Sequence, residues 1–313
     1  MPMMTLRRDS TAPEPARRVP ESHSHPRSVY ASYAKINLGL RIVGRRPDGF
    51  HNIETVFHRI DLADFVDFAP GDGISIVTNS PEVPADTRNI CHAAATSLQQ
   101  HLDCAAGVRI ILTKAIPVGA GLGGGSSDAA TVLRYLPRFW GRSADEKMLQ
   151  SIACDLGSDV PFFLGERSAL ARGRGEILEY VDLDIPFAIL LVHPGIRVST
   201  SWAYSQARPT GEASSTSLLE ILVSGIDDPE RLRKSLRNDF EAIVFNAHPE
   251  VKRVRDTMIE LGATYASMSG SGSSVFGFFP DTNAADTASA VFRDRRYTTS
   301  VTPPHFRPTF STR

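Results

Sequence analysis

The sequence has few cysteines, no long hydrophobic run and almost no net charge. Its three cysteines are far apart and odd in number, which argues against a disulfide framework or a zinc site and favours a reducing, cytoplasmic location. A transmembrane helix needs about 18 apolar residues in a row. The longest apolar run, residues 187–192, is only as long as a strand. A membrane-spanning protein is therefore not predicted. Lys and Arg total 34 and Asp and Glu 35, so without a basic excess a nucleic-acid-binding surface is not predicted either.

Hydrophobic residues make up 42% of the 313 positions, enough for the core of one large domain or two smaller ones. Residues 1–27 differ, because they are rich in Pro and Arg and have few large apolar side chains. Such a segment cannot bury enough surface to offset its ordering entropy, so a disordered tail is predicted there. A transit peptide is the alternative, but Asp9, Glu14 and Glu21 oppose it, since transit peptides are poor in acids. Residues 304–313 are predicted to form a second tail.

Period-two alternation of apolar side chains indicates a first strand over residues 36–42. A turn over residues 46–49 and a returning strand over 53–60 follow, which together predict a hairpin. The next predicted elements are a helix over residues 86–101 and a strand over 108–112.

Farther along, Ser143 and Glu146 have the spacing of a capping box, which predicts the start of a helix that ends near Gly157. The remaining predicted elements are buried strands over residues 187–192 and 275–279 and two helices within 229–261. Strands and helices are mixed without a regular βαβ order, so an α+β fold in two lobes is predicted.

The strongest motif is a glycine-rich loop that follows the predicted strand over residues 108–112. Five glycines in the seven positions 119–125 let the backbone adopt positive φ angles and approach a ligand closely. A helical pattern follows at once, and the free N–H groups of a helix start favour a di- or triphosphate. The loop lacks both the Lys-Ser/Thr ending of a Walker A motif and the context of a dinucleotide-binding unit. A flexible linker is the alternative, but linkers do not usually join a strand to a helix.

Two residues are candidates for a chemical step. Asp159 stands between Ser158 and an apolar run, where a lone carboxylate is costly unless it is paired. Its alternative is a helix N-cap for the turn at Pro161. Lys35 lies on the polar side of the first strand, where the alternative is an ordinary solvated lysine.

The sequence resembles the GHMP family of small-molecule kinases, whose second motif is a Pro-x-Gly-x-Gly-Leu-Gly-Ser/Gly-Ser run. In particular, it resembles the branch that phosphorylates the 2-hydroxyl of a cytidine diphosphate-linked methylerythritol on the non-mevalonate route to isoprenoid precursors. The matching segments are Ala34-Lys-Ile-Asn-Leu-Gly-Leu40, Arg46-Pro-Asp-Gly-Phe-His51, the glycine loop, Gly157-Ser-Asp-Val-Pro-Phe162 and Met268-Ser-Gly-Ser-Gly-Ser-Ser-Val-Phe276. The resemblance implies a ribosomal-protein-S5-like N-terminal domain over residues 28–178 and a ferredoxin-like C-terminal domain over 179–303.

The resemblance also implies the roles of individual residues. Asp159 and Lys35 fall on the family's acid/base pair. Asp159 would then accept the hydroxyl proton, while Lys35 would keep the Asp159 carboxylate ionised. ATP would bind the glycine loop, with Asn89 and Lys114 on its adenine side. The loop residues assigned to ATP are Pro117, Val118, Gly119, Ala120, Gly121, Leu122, Gly123, Gly124, Gly125, Ser126 and Ser127. Mg²⁺ would accompany ATP, with unknown protein ligands. Asp128 replaces the family's usual Asn and adds a charge near the phosphates.

The acceptor site is implied in the same way. His51 would read the cytosine edge, Phe50 and Tyr204 would form stacking walls, and Asn37 would orient the polar groups of the substrate. The turn over residues 269–274 offers a nest of N–H groups suited to the acceptor's diphosphate. The residues assigned to the acceptor are Asn37, Phe50, His51, Thr200, Tyr204, Gly270, Ser271 and Gly272. A monomer or homodimer is expected. A GHMP kinase for another alcohol and a catalytically silent nucleotide sensor are the alternatives.

Overall fold

The computed structural model describes residues 28–208 and 216–310, which form two β-sheets with helices packed on them. The strands of the described chain are β1 (Tyr30–Arg45), β2 (His51–Ala69), β3 (Ile74–Thr78), β4 (Val108–Thr113), β5 (Ser168–Arg172), β6 (Ile177–Val181), β7 (Ala188–His193), β8 (Tyr265–Met268), β9 (Val275–Phe279) and β10 (Thr298–Thr302). Its helices are α1 (Ile90–His101), α2 (Gly124–Phe139), α3 (Glu146–Leu156), α4 (Val160–Leu164), α5 (Thr200–Gln206), α6 (Leu218–Gly225), α7 (Pro229–Ser235), α8 (Glu241–Ala247), α9 (Pro249–Glu260) and α10 (Thr282–Asp294).

The first sheet is built around the long strand β2. Antiparallel β1 lies along one side of β2, while β4 and β5 pair with different parts of its other side. The predicted turn joins β1 to β2, and Asp48 holds it by accepting from the Phe50 N–H at 3.1 Å. Gly49 takes a φ of 86° there, which a residue with a Cβ rarely adopts. Helices α1, α2 and α3 cover one face of this sheet around a shared apolar core.

The second sheet has the strand order β10-β7-β9-β8, and all of its neighbouring pairs are antiparallel. Its apolar side chains belong to two cores. One core lies under α9 and α10, and the other joins this sheet to the first sheet through residues such as Ile36, Leu38, Leu191 and Phe276. Because the two lobes share a core, the β1 residues on this face hold a fixed position relative to the second sheet.

The structure confirms the predicted hairpin, the strands over residues 108–112 and 275–279, and the helix that ends at Gly157. Three local predictions are wrong. The first helix begins at Ile90 rather than at residue 86, because the Asn89 side chain caps it by accepting from the Cys91 N–H. The cap of α3 is Asp145, which accepts from the Met148 N–H, and not Ser143. Residues 229–261 contain three helices instead of two.

The predicted domain and tail limits also differ from what is observed. A boundary between residues 178 and 179 would fall inside β6, which pairs with β5 along its whole length. Residues 304–310 are packed rather than free, since the Tyr135 hydroxyl donates to the Phe310 carbonyl at 3.0 Å. The tail predicted over residues 1–27 lies outside the described residues. Over 28–208 and 216–310, no helix is both long and apolar enough to cross a lipid bilayer.

Candidate active site

The glycine loop runs from the end of β4 to the start of α2 and lies between the two sheets. Gly119, Gly121 and Gly123 have φ angles of 68°, 79° and 71°, so three of its glycines need their conformational freedom. A Cβ on Gly121 would overlap the carbonyl oxygen of Ser269. Gly123 is the N-cap of α2 and has no side chain to cap it, which leaves the first N–H groups of the helix available to an anion.

A cavity of about 510 Å³ opens in front of this loop. Its lining contains most of the residues predicted for ATP: Asn89, Lys114, Pro117, Val118, Gly119, Ala120, Gly121, Leu122, Gly123, Gly124, Gly125 and Ser126. Ser127 is placed elsewhere. Its hydroxyl donates to the Tyr33 carbonyl and its N–H to the Gly123 carbonyl, so both of its donors are used within the fold.

The structure brings the two predicted catalytic residues together. Lys35 Nζ lies 3.3 Å from Asp159 Oδ2, although the residues are far apart in the chain. Lys35 is 4% exposed, so it is not a solvated lysine. Asp159 does hold the N-cap position of α4, but its side chain makes no capping hydrogen bond. The carboxylate is therefore free to pair with Lys35, and about a third of it remains exposed to a ligand.

Asn37 holds the lysine in place. Its Oδ1 accepts from Lys35 Nζ at 2.7 Å, and its Nδ2 donates to Thr55 Oγ1 at 2.9 Å. Thr55 in turn donates to the Gly39 carbonyl at 2.6 Å. The Asn37 amide thus already has partners at both ends, and it orients Lys35 as well as lining the cavity. The Phe57 ring makes a cation–π contact with the Lys35 ammonium, its centroid lying 4.7 Å from Nζ.

A second cavity of about 750 Å³ adjoins the first and contains the predicted acceptor residues Phe50, His51, Thr200 and Tyr204. His51 stacks on Tyr204, with ring centroids 5.2 Å apart and planes inclined by 22°. Phe50 is 55% exposed at the rim. Burial, with a smaller effect of Arg45, lowers the pKa of His51, so its imidazole is neutral at pH 7 and can both donate and accept.

The serine hydroxyls of the turn over residues 269–274 mostly bond to other parts of the chain. The Ser269 hydroxyl donates to the Gly121 carbonyl, and that of Ser273 to the Ile196 carbonyl. Gly270 and Ser271 line the first cavity, with Ser271 Oγ 3.0 Å from Thr200 Oγ1, whereas Gly272 lines neither cavity. The serine hydroxyls predicted beside an acceptor diphosphate are thus largely committed to the fold.

Lys114 is buried in a carboxylate pair and is not a solvated strand end. Its ammonium binds Asp64 and Asp128, the latter at 2.5 Å. Asp64 also accepts from the N–H groups of Ala115 and Ile116 at 2.6 and 2.8 Å, which fixes the start of the glycine loop. Burial raises the pKa of Asp128 to about 7, since the nearby charge of Asp64 adds to the effect and Lys114 only partly offsets it.

Among the residues of the site that were not predicted are Asp64, Thr55 and Arg174. Asp64 and Thr55 lie on β2, which is paired on both sides, and act through contacts with residues distant in sequence. Arg174 lines both cavities from the turn between β5 and β6. The only signal for it was local, since it stands between two glycines in Arg172-Gly-Arg-Gly175, a pattern typical of an exposed turn.

Comparison with known proteins agrees with this geometry. Residues 89–166 match the family described as GHMP kinases N terminal domain, and residues 219–297 match GHMP kinases C terminal. A 4-diphosphocytidyl-2-C-methyl-D-erythritol kinase of Chlorobium limicola is 44% identical over 277 residues, which cover 88% of this chain and 96% of the relative. The chain belongs to the GHMP kinase family. The kinase of the same name from Salinibacter ruber is 41% identical over 86% of this chain and 96% of its own length.

Solved structures of GHMP kinases support the same assignment. A crystal structure of 4-(cytidine 5'-diphospho)-2C-methyl-D-erythritol kinase has a TM-score of 0.76 and 35% identity, over 88% of this chain and 99% of that one. A homoserine kinase from Cytophaga hutchinsonii has a TM-score of 0.70 at 21% identity, over 93% of this chain and 98% of that one, which shows the shared fold alone. The predicted α+β fold of the GHMP kinases and the small-molecule kinase activity are confirmed.

Proposed function

We propose that the protein transfers the γ-phosphoryl group of ATP to the 2-hydroxyl of 4-diphosphocytidyl-2-C-methyl-D-erythritol, giving the 2-phosphate and ADP. The Lys35–Asp159 pair carries the proposal. Asp159 lines both cavities, so a hydroxyl bound in the second cavity would meet a phosphate held in the first at this carboxylate. The relatives that share this name match 88% of this chain, which supports the choice of acceptor.

The arrangement supplies what phosphoryl transfer needs. The transition state is loose, so catalysis depends on positioning and on stabilising charge more than on covalent chemistry. The N–H groups of the glycine loop would hold the phosphates. Asp159 would accept the proton of the attacking hydroxyl, and Lys35, held by Asn37, would pair with this carboxylate and bind the attacking oxygen.

Mg²⁺ fits this site as a companion of the nucleotide. No cluster of three His, Cys, Asp or Glu residues suited to a metal occurs within residues 28–208 and 216–310. Mg²⁺ bound to ATP usually takes phosphate oxygens and water with one or two protein groups, and it neutralises phosphate charge. Ser126 and Asp159, which both line the first cavity, would supply those groups.

The test is ADP release with Mg·ATP and a panel of alcohols: the cytidyl compound, mevalonate, homoserine and galactose. Turnover confined to the cytidyl compound supports the proposal, and turnover of another alcohol alone contradicts it. ATP binding without turnover of any alcohol would favour a nucleotide sensor.

Variants of the catalytic pair provide the second test. We expect Asp159→Asn and Lys35→Ala each to lower kcat by at least about a thousandfold, since the first removes the proton acceptor and the second the cation that binds the attacking oxygen. Affinity for ATP, measured by calorimetry, should stay within about threefold, because the loop is unchanged. Lys147→Ala, on the exposed face of α3, is the control and should keep full activity. Near-normal turnover in either catalytic variant would exclude the assigned roles.

A further inference from the structure

The turn that carries Arg174 packs beside the carboxylate of Asp159. Gly173 and Gly175 flank it with φ angles of 71° and 115°, so the chain reverses sharply there. The Gly173 carbonyl accepts from the Ile53 N–H at 2.8 Å, which ties the turn to β2. On its other side, a Cβ placed on Gly175 would lie 3.7 Å from Asp159 Oδ1. Arg174 therefore projects from a fixed support beside the catalytic carboxylate.

The side chain of Arg174 faces the acceptor cavity. Its guanidinium carbon lies 5.2 Å from the centroid of the Phe50 ring at the rim of that cavity. The nearest carboxylate, that of Glu176, is 3.5 Å from Arg174 Nε. The Arg174 side chain remains 33% exposed. Among the described residues, the guanidinium donates no hydrogen bond of normal geometry, so donors remain available to a ligand.

The charges around this cavity suit an anion. Arg45, Arg174 and Arg208 line it together with a single acid, Asp159. The alternative anion site, the turn over residues 269–274, has used most of its hydroxyls within the fold. A planar guanidinium can bind two phosphate oxygens at once, which makes arginine the better partner for a diphosphate.

We propose that Arg174, assisted by Arg45, binds the diphosphate of the acceptor and makes the enzyme select a cytidine diphosphate group over cytidine alone. This inference rests on the proposed function, because it assumes that the acceptor occupies the second cavity. It places the diphosphate between the His51–Tyr204 stack, where the base would lie, and Asp159, where the hydroxyl would react.

The experiment compares the binding of cytidine and CDP to the full chain by calorimetry, with a non-hydrolysable ATP analogue saturating the glycine-loop site. We expect the wild type to bind CDP more tightly than cytidine. Arg174→Gln should weaken CDP binding about tenfold, because a charge-assisted contact is lost, and leave cytidine binding within about twofold. The CDP affinity of Arg174→Lys should lie between those of the wild type and Arg174→Gln, because lysine keeps the charge but lacks the planar guanidinium. Added salt should weaken CDP binding more in the wild type than in Arg174→Gln.

Arg172→Gln is the matched control, since Arg172 ends β5 two residues before Arg174 and lines neither cavity. It should bind both ligands as the wild type does. Equal losses of cytidine and CDP affinity in Arg174→Gln would overturn the inference, because Arg174 would then shape the base pocket. Weaker binding of the ATP analogue with unchanged CDP binding would overturn it too, by assigning Arg174 to the donor. If the wild type bound neither cytidine nor CDP, the proposed acceptor itself would fail.

Discussion

At the scale of single residues, the two carboxylates around Lys114 carry more negative charge than one ammonium can balance. Asp128 Oδ1 is buried and has no hydrogen-bond partner in the described chain. Burial together with one unpartnered oxygen favours the neutral form of this carboxyl, in line with the rise of its pKa to about 7 from an ordinary 3.8. The folded protein therefore keeps a proton that the unfolded chain releases between these two values, so this group makes stability fall as pH rises from about 4 to about 7.

Asp128→Asn should remove this pH dependence, because an amide does not titrate and Lys114 keeps Asp64 as its counter-ion. We expect the variant to raise the melting temperature by several degrees at pH 8 and clearly less at pH 5, measured by scanning calorimetry. Asp286→Asn, at an exposed position of α10, is the control and should change the melting temperature equally at both pH values. An equal gain for Asp128→Asn at pH 5 and pH 8 would show that Asp128 does not titrate in this range.

The residues of the site differ in how far sequence could predict them. The glycine loop was predictable from its own composition, because positive φ angles and a following helix are local properties. Lys35 and Asp159 were identified through family resemblance, since nothing local to either shows that they lie 3.3 Å apart. The burial of Lys114 was not predictable, because its partners Asp64 and Asp128 come from different elements.

At the scale of elements, the short helix α4 is held mainly from its C-terminal end. Its N-cap is Asp159, and its five residues make too few internal hydrogen bonds to fix it alone. Arg59 donates to the carbonyls of Phe162 and Gly165 at 3.0 and 2.9 Å, and Arg134 from α2 donates to that of Leu164. Burial lowers the pKa of Arg59 to about 9, which still leaves it charged at neutral pH. These two arginines thus connect the position of Asp159 to β2 and to the helix of the glycine loop.

Replacing Arg134 should therefore disturb catalysis more than binding. We expect Arg134→Gln to lower kcat about tenfold while the KM for ATP stays within about twofold, since Asp159 moves and the loop does not. Arg134→Lys should restore part of the lost kcat, because a lysine can still donate to these carbonyls. Arg138→Gln, on the exposed side of the same helix, is the control. A lower melting temperature with an unchanged kcat would limit Arg134 to a structural role.

The errors in predicted elements have local physical causes. Helices α1 and α3 begin later than their predicted starts, because the side chains of Asn89 and Asp145 cap them by accepting from the N–H two and three positions later. Helices α7 and α8 have seven residues each. Two helical turns are too few for the spacing of apolar residues to show where one helix ends and the next begins. The type of the longer elements, such as β2 and α2, was predicted correctly, and so was that of short strands with a clear apolar run, such as β4 and β9.

At the scale of the whole molecule, the C-terminal segment fastens one lobe to the other. After β10 in the second sheet, the chain returns to the first sheet, where the Phe310 ring lies 5.0 Å from the Arg134 guanidinium and 5.5 Å from that of Arg59. Phe306 and Phe310 also meet the Tyr33 ring edge-on, with centroids 5.7 and 6.0 Å away. Composition predicted a tail here because the contacts that order these residues lie on β1, β2 and α2, far away in sequence.

Removing residues 306–313 should therefore destabilise the protein and weaken the support of α4. The lost aromatic and cation–π contacts predict a loss of about 2 kcal/mol in the free energy of unfolding, measured by urea titration. Phe310→Ala alone should give about half of that loss. It should also lower kcat, because Arg59 and Arg134 lose their contact with the Phe310 ring. Deleting residues 1–27, by contrast, is expected to leave activity unchanged. If the C-terminal truncation left both stability and kcat unchanged, the packing of Phe306 and Phe310 would contribute nothing to the site, and α4 would depend on its arginines alone.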